Sequence, residues 1–429
     1  MQRTRDFLQF VSEAPTPFHA VHLIASRLLQ LGFIPLAEQE PWTLSPGSRY
    51  FVTRNGSSLL AFTIPALPFD HFQIVASHDD SPCFKLKPLP ESGASGHYVR
   101  LNVEKYGGMI MSTWFDRPLS IAGRILTRDG NRLTSHLVNL NQDSVLIPSM
   151  PIHFNREVND GYKFNPQVDL LPLYANESSA SILDAVALSC QVTRGSIIGH
   201  DLYLYNRVPG SIWGKDNAFF SSGRIDDLEC AYCSLESFLA ASGKHANLYA
   251  LFDNEEVGSR SRQGADSPFL ADTLKRICGC FGLDPYACIA SSFMISADNA
   301  HAVHPNHPEK YDEQNRCFMN EGVVVKYNSS QKYATDAVSD AVFSEICSRA
   351  GVPVQHFSNR SDIAGGSTLG TIANSHVSMS TVDIGLAQLA MHSAYETAGT
   401  KDISYLIDAL TGFYRADIQI IHDNVFELA

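Results

Sequence analysis

The sequence has little of several features that would assign it to a particular class. Charged residues make up only 18% of the 429 residues, against ~25% in an average globular protein, and the net charge is −13. There is no cluster of basic residues, which argues against nucleic acid or an anionic membrane as a partner. No apolar run reaches the ~18 residues of a membrane span, and the first residues lack the apolar stretch of a signal peptide. We therefore expect a soluble cytoplasmic protein.

Paired-cysteine patterns and the short motifs of several enzyme classes are also missing. The nine cysteines include one CxxC pair, Cys230 and Cys233, with no second pair, so free and mostly buried thiols are expected. The sequence contains no GxSxG, Walker or HExxH motif. The glycine-rich segment 365–370 lacks GxGxxG spacing, which favours a tight turn before a helix over a nucleotide site.

The pattern of apolar and turn residues along the chain changes twice, which predicts one α/β domain interrupted by an insertion. Residues 1–84 and 208–429 alternate short apolar runs with helical patterns, as in a mainly parallel sheet flanked by helices. Residues 85–207 are dominated by strand-like pieces and turns, so they predict an inserted β-rich domain. Within the second α/β segment the pattern predicts helices over 336–350, capped by Thr335, and over 386–398, with a strand over 377–381.

Five short polar clusters combine histidine, aspartate and glutamate at or near the ends of predicted strands. They contain His78 with Asp80, Asp226, Glu255 with Glu256, Asp298 with His301, and His392. In open α/β sheets, ligands bind beyond the carboxyl ends of the strands, where such side chains can converge.

Two histidines and three carboxylates are the donors that zinc, cobalt or manganese accept, and they suffice for two divalent ions. The adjacent Glu255 and Glu256 could have different roles, with one as a metal ligand and the other as a general acid–base. Asp80 is placed to hydrogen-bond the far ring nitrogen of His78. Each cluster alone also fits a structural histidine or a solvated carboxylate, so from the residues both interpretations stay open.

Longer strings carry a resemblance that covers nearly the whole chain. They are the HxDSP stretch at 78–82, Ser112–Arg117, the DNEEVGS stretch at 253–259, Ser296–Asp298, His301–Asn306 and Leu389–Ser393. The sequence resembles the aspartyl aminopeptidase family, which are dinuclear metal exopeptidases that assemble into tetrahedral dodecamers. The resemblance implies a zinc peptidase-like fold and hydrolysis of the N-terminal residue of short peptides.

The resemblance also assigns roles to single residues. It implies one metal ion held by His78, Asp226 and Asp298, and a second held by Asp226, Glu256 and His392. Glu255 corresponds to the general base that activates a bridging hydroxide, and Asp80 to the group that orients His78. His301 corresponds to a histidine near the scissile carbonyl.

Substrate and assembly residues follow from the same resemblance. The insertion corresponds to a dimerisation domain, from which His153 would reach the active site of a neighbouring subunit. Lys326 aligns with a lysine that meets an acidic side chain of the substrate, and Gly366 lies in a loop whose glycines let backbone approach a ligand. Because the 360–367 segment departs from the commoner pattern of the family, neutral substrates stay possible beside Asp and Glu.

Two other functions remain open at this point. The same dinuclear site would serve an N-acyl-amino-acid deacylase or a carboxypeptidase, which a blocked substrate would distinguish from an aminopeptidase. A non-enzymatic assembly protein would have lost ligands, yet all the expected ligands and the base are present.

Overall fold

The computed structural model describes residues 1–176, 180–241, 244–422 and 425–429. Within them the helices are α1 (Gln2–Glu13), α2 (Pro17–Gln30), α3 (Pro166–Asp169), α4 (Ile182–Ser189), α5 (Ile225–Ala240), α6 (Phe269–Phe281), α7 (Pro285–Ala290), α8 (Ala337–Ala350), α9 (Leu369–Asn374) and α10 (Asp402–Arg415).

The strands of the first half are β1 (Ile34–Leu36), β2 (Arg49–Arg54), β3 (Ser58–Thr63), β4 (Phe72–His78), β5 (Cys83–Ala94), β6 (Tyr98–Tyr106), β7 (Leu119–Asp129), β8 (Arg132–Asn139), β9 (Leu173–Ala175), β10 (Ile197–Asn206) and β11 (Ser211–Trp213). Those of the second half are β12 (Phe219–Ser222), β13 (Ala246–Phe252), β14 (Phe293–Ala297), β15 (Ala300–His301), β16 (Val323–Tyr327), β17 (Val354–Ser358), β18 (Ser380–Gly385), β19 (Ala387–Leu389), β20 (Glu396–Gly399), β21 (Ile418–His422) and β22 (Val425–Leu428).

A nine-stranded mixed sheet forms the centre of the molecule, in the order β1-β2-β3-β13-β4-β14-β18-β16-β17. Its middle strands β13, β4, β14 and β18 are parallel, and every residue of β4 is buried, as expected of a strand covered on both faces. Helices α1, α2, α5, α8 and α10 pack on one face, and α6, α7 and α9 on the other. The predicted mainly parallel α/β fold is confirmed.

Local chemistry explains where the helices begin and end. Pro17 occupies the first turn of α2, where its missing N–H costs nothing. The Asp336 side chain accepts the N–H groups of Val338 and Ser339 at the start of α8, and Gly351 ends that helix with φ 69°. The predicted Thr335 cap is therefore wrong by one residue.

The strands between Cys83 and Asn206 form a separate six-stranded antiparallel sheet, in the order β8-β7-β10-β5-β6-β9. Its first and last strands, β5 and β10, pair with each other, so the chain leaves the central domain and returns to it at neighbouring points. This sheet has a core of its own, which includes Phe84, Trp114 and Leu202.

Residues 386–398 do not form the predicted helix. They form β19 and β20, which belong to a five-stranded sheet in the order β11-β12-β20-β19-β15. Ala390 and His392 adopt φ values of 56° and 67°, which turn the chain between the two strands. The predicted strand over 377–381 is displaced as well, since β18 begins at Ser380. The spacing of the apolar residues suited a helix because the whole segment 386–398 is rich in alanine and leucine, including the residues of the turn between the two strands.

Two further properties concern the whole described chain. All nine cysteines are free and six of them are buried. Among the described residues, no helix combines the length and the apolar character needed to cross a bilayer.

Candidate metal centre

Four of the predicted site residues lie at the carboxyl ends of the parallel central strands. His78 is the last residue of β4, and Asp298 directly follows β14. Glu255 and Glu256 lie in a tight turn just beyond β13. Because β13, β4 and β14 run in the same direction, their ends meet at one edge of the sheet.

Asp226, from the first turn of α5, lies between two histidines. Its Oδ1 is 3.6 Å from His78 Nε2, and its Oδ2 is 3.3 Å from His392 Nε2. Asp298 Oδ1 lies 4.0 Å from His78 Nε2 on the first side, and Glu256 Oε1 lies 3.2 Å from His392 Nε2 on the second. The five side chains thus form two groups of donors that share Asp226.

The donor atoms of these groups fit divalent cations. Two donors at ~2.1 Å from one tetrahedral ion are separated by about 3.4 Å, close to the distances found here. Asp226 Oδ1 and Glu256 Oε1 are buried and, among the described residues, have no hydrogen-bond partner. Such buried oxygen atoms are costly unless a cation or a proton satisfies them.

Both histidines are held so that Nε2 faces the carboxylates. His78 Nδ1 lies 3.0 Å from the main-chain oxygen of Asp80 and 3.3 Å from its Oδ1. His392 Nδ1 donates to the main-chain oxygen of Gly108 at 2.6 Å. These contacts place the proton on Nδ1 and leave the Nε2 lone pair for a metal, the usual outer support of a ligating imidazole.

The buried carboxylates of the cluster also favour the binding of positive charge. Burial lowers the pKa of His392, but the close carboxylates of Asp226 and Glu256 outweigh that effect and raise the pKa to about 11. Burial raises the pKa of Glu256 to about 7 and that of Glu255 to about 9, the latter with help from the nearby charge of Asp298. Without cations, these side chains therefore hold protons tightly. Divalent cations bound to the same carboxylates would neutralise their charge in place of those protons.

Asp80 supports more than His78. Its Oδ1 accepts the N–H of Glu255 at 3.0 Å, and its Oδ2 accepts the N–H of Glu256 at 3.1 Å. Tyr106 donates its hydroxyl to the same carboxylate at 2.7 Å. One buried carboxylate thus fixes both the first histidine and the turn that bears the two glutamates.

Comparison with known proteins identifies the family. A family model described as "Aminopeptidase I zinc metalloprotease (M18)" matches residues 10–414. The chain belongs to the M18 aminopeptidase family. The resemblance seen in the sequence is confirmed, and the chain is an aminopeptidase of the zinc metalloprotease type.

Curated relatives and solved structures agree with the M18 assignment. The chain is 43% identical over 427 residues to a probable M18 family aminopeptidase 2 of Clostridium acetobutylicum, covering 96% of this chain and 99% of the relative. It is similar to a chain in the cryo-EM structure of the Ape4 and Nbr1 complex, with 34% identity, a TM-score of 0.93, and coverage of 96% of this chain and 85% of that one. It is also similar to the S. cerevisiae mApe1 dodecamer, with 28% identity, a TM-score of 0.84, and coverage of 96% and 95%.

Two buried carboxylates of the M18 centre were not singled out from the sequence. Glu396 Oε2 accepts the N–H groups of Ile225 and Asp226 at 2.7 and 3.2 Å, and its Oε1 accepts the N–H of His392 at 2.8 Å. Asp227 accepts the N–H of His78 at 3.1 Å. In the sequence, Glu396 could have been noticed as an acidic residue four positions after His392, and Asp227 as the second residue of an Asp-Asp pair. The wrong prediction of a helix over 386–398 hid the relation between Glu396 and His392.

His301 and Lys326 lie beside the centre with different exposure. His301, on β15, is partly buried next to Phe357, and burial lowers its pKa, which keeps the imidazole neutral. Lys326 is 2% exposed. Its Nζ donates to the main-chain oxygens of Asp298 and Asn299 at 2.8 and 3.3 Å, and lies 3.8 Å from Asp298 Oδ2. The lysine therefore holds the end of β14 in place.

The two other predicted substrate residues lie apart from this cluster in the single chain. His153 is in an exposed turn between β8 and α3, and no hydrogen bond or ion pair of the described residues joins it to the metal centre. Gly366 is exposed, with no atom within 4 Å of the position a Cβ would take.

Proposed function

We propose that this M18 aminopeptidase holds two divalent cations, most readily zinc, with cobalt or manganese as substitutes. His78, Asp226 and Asp298 would hold one, and Asp226, Glu256 and His392 the other. The observation that carries the proposal is the position of Asp226, whose two oxygen atoms face two different histidines. A single-ion site would not need a carboxylate divided in this way.

The reaction we infer is hydrolysis of the N-terminal residue of a short peptide. Divalent cations held by these residues would polarise the scissile carbonyl and lower the pKa of a water molecule in the site. Glu255 accepts the proton that this water loses as its oxygen attacks the carbonyl carbon. Glu255 then delivers the proton to the amine nitrogen as the C–N bond breaks.

His301 is the residue we assign to the developing negative charge on the carbonyl oxygen. It is neutral, so one ring N–H is available as a donor. A neutral donor stabilises an oxyanion without first forming an ion pair with the neighbouring carboxylates.

We propose that the substrate residue is preferably acidic, with neutral residues accepted. Lys326 keeps its positive charge, because the charge of Asp298 outweighs the effect of burial on its pKa. Its donors are directed at main-chain oxygens, so it favours an acidic side chain through its field rather than through a direct hydrogen bond. Such a preference is modest, since Asp298 offsets part of the charge.

We also propose that the chain is a homo-oligomer, with dimers assembled into a dodecamer. The S. cerevisiae mApe1 relative is described as a dodecamer. The turn that carries His153 exposes Met150, Ile152 and Phe154, the last by 83%, and such a patch is typical of an interface. In this arrangement His153 would enter the active site of the partner subunit, and Gly366 would lie along the substrate path.

Hydrolysis of aminoacyl substrates tests the activity. Asp, Glu, Leu, Ala, Lys and Arg derivatives would be compared before chelation, after chelation, and after zinc, cobalt or manganese is restored. We expect cleavage that stops with chelator, returns with metal and is fastest for acidic residues. N-acetylated versions are the control and should not be cleaved. Cleavage of the acetylated substrates alone would show a deacylase instead.

Light scattering after size-exclusion chromatography tests the assembly. We expect a mass near twelve times the 47.2 kDa of the chain. A fully active monomer would refute both the assembly and the role of His153.

A further inference from the structure

A second cluster of metal-binding side chains lies at the opposite edge of the central sheet. His71 precedes β4, His245 precedes β13, and Asp417 lies between α10 and β21. His71 and His78 are at the two ends of the same strand, about 23 Å apart at ~3.3 Å per residue. The cluster is therefore separate from the aminopeptidase centre.

Each imidazole of this cluster has one nitrogen committed to an oxygen acceptor. His71 Nδ1 lies 2.8 Å from Asp70 Oδ1, and His245 Nε2 lies 3.2 Å from the main-chain oxygen of Tyr414. Because these oxygen atoms only accept, the ring protons are on those two nitrogens. The lone pairs remain on His71 Nε2 and His245 Nδ1.

Both of those nitrogen atoms belong to buried imidazole rings. His71 is 4% exposed and His245 is 2% exposed, and their rings stack with centroids 5.1 Å apart. Within the part of the chain that the structure describes, neither His71 Nε2 nor His245 Nδ1 has a hydrogen-bond partner. A buried acceptor without a donor is unfavourable unless a ligand supplies the missing interaction.

Asp417 provides a third donor group to the cluster. One nitrogen of each histidine and one Asp417 oxygen all lie within 4.8 Å of one another. Gln419 donates to Asp417 Oδ1 at 2.7 Å, which holds the carboxylate and leaves Oδ2 for another partner. Asp70 on His71 and Gln419 on Asp417 are the outer contacts that support metal ligands in proteins.

We propose that His71, His245 and Asp417 form an additional metal site that binds one zinc ion and has a structural role. Two imidazole nitrogens and a carboxylate oxygen match zinc, with solvent in the fourth position. Ligand atoms on one zinc ion lie about 3.4 Å apart, which is within the 4.8 Å limit that these three donor atoms meet. The ion would join the amino ends of β4 and β13 to the segment that follows α10.

Metal content per chain tests this site. Tag-free protein would be equilibrated in a zinc buffer that fills the catalytic centre, and zinc would be measured by mass spectrometry. Wild type should contain one zinc ion more per chain than His245→Asn or Asp417→Ala. The matched control His376→Asn removes a histidine paired to Asp266 at 2.9 Å elsewhere and should equal wild type. Because the comparison is a difference, it does not depend on how many ions the catalytic centre holds.

A second measurement keeps the test valid if one of the variants folds poorly. Asp417 is only partly buried, so Asp417→Ala is expected to fold even where His245→Asn does not. Cobalt in the additional site should add visible d–d absorption in wild type that is absent in Asp417→Ala, while both cleave substrate at the same rate. Equal zinc content and equal cobalt spectra in wild type and Asp417→Ala would overturn the proposal.

Discussion

Asp80→Asn is the substitution that separates the support of the metal centre from its ligands. The two Asp80 oxygen atoms accept the N–H groups of Glu255 and Glu256, and they also face His78 Nδ1 and the Tyr106 hydroxyl. An asparagine has one oxygen and one NH₂ group, and the NH₂ group accepts nothing. The hydroxyl of Tyr106 can turn and accept, whereas a main-chain N–H cannot.

The least costly orientation of the asparagine therefore follows from the contacts. Its oxygen would keep the N–H of Glu255 and the ring of His78, and its NH₂ group would face Tyr106 and the N–H of Glu256. One buried N–H loses its acceptor, at a cost of about 1–3 kcal/mol. The change displaces Glu256, a proposed ligand, so the metal-dependent rate should fall. At 1.36 kcal/mol per factor of ten, we expect a loss of about 10–100-fold in kcat/KM.

The assay is a zinc titration of activity in the variant and in wild type. Since Glu256 would be displaced and not removed, the zinc required for half-maximal activity should rise, and saturating zinc should restore much of the rate. Asp402→Asn is the matched control, because Asp402 is a buried carboxylate that accepts the N–H groups of Asn320 and Gly322 without contacting the ligands. That variant should lose stability but keep its zinc requirement. An Asp80→Asn enzyme within about twofold of wild type in both zinc requirement and kcat/KM would refute the reasoning.

Three further substitutions test the assigned roles. Glu255→Gln should keep its metal ions, measured by mass spectrometry, and lose about 10²–10⁴-fold in kcat, because general acid–base catalysis is removed; near-normal turnover would exclude Glu255 as the base. Asp226→Ala should lose both catalytic ions, since each group of donors includes this residue; two retained catalytic ions would contradict the shared position. Lys326→Met should reduce the ratio of kcat/KM for Asp over Leu substrates, because the positive field is lost; an unchanged ratio would exclude Lys326 from specificity.

The local pattern of the chain was informative at the ends of strands. His78, Glu255, Glu256 and Asp298 lie at the end of a short apolar run or within four residues of it, and parallel strands bring such residues to one edge of a sheet. For these four, proximity was predictable because it follows from strand direction alone. The resemblance to the family then assigned Asp226 and His392 to the same site.

Sequence patterns gave wrong predictions where burial and backbone conformation, and not the spacing of apolar residues, determined the structure. Residues 386–398 have the apolar spacing of a helix, yet Ala390 and His392 adopt positive φ values and the segment forms two buried strands. Glu396 was missed for the same reason, since its role consists of accepting main-chain N–H groups from α5 and from the His392 turn. No periodicity encodes such contacts.

What the sequence by itself determined is the α/β class, the strand-end position of the acidic and imidazole groups, and the family. These depend on local apolar patterns and on the residue types at short spacing, both of which are properties of neighbours along the chain. Only the tertiary structure decided that Asp226 lies between two histidines, that Lys326 is buried against Asp298, and that His71 meets His245 and Asp417. The physical reason is that each of these contacts joins residues distant in sequence, whose distances depend on how the packed sheet and helices fix the backbone.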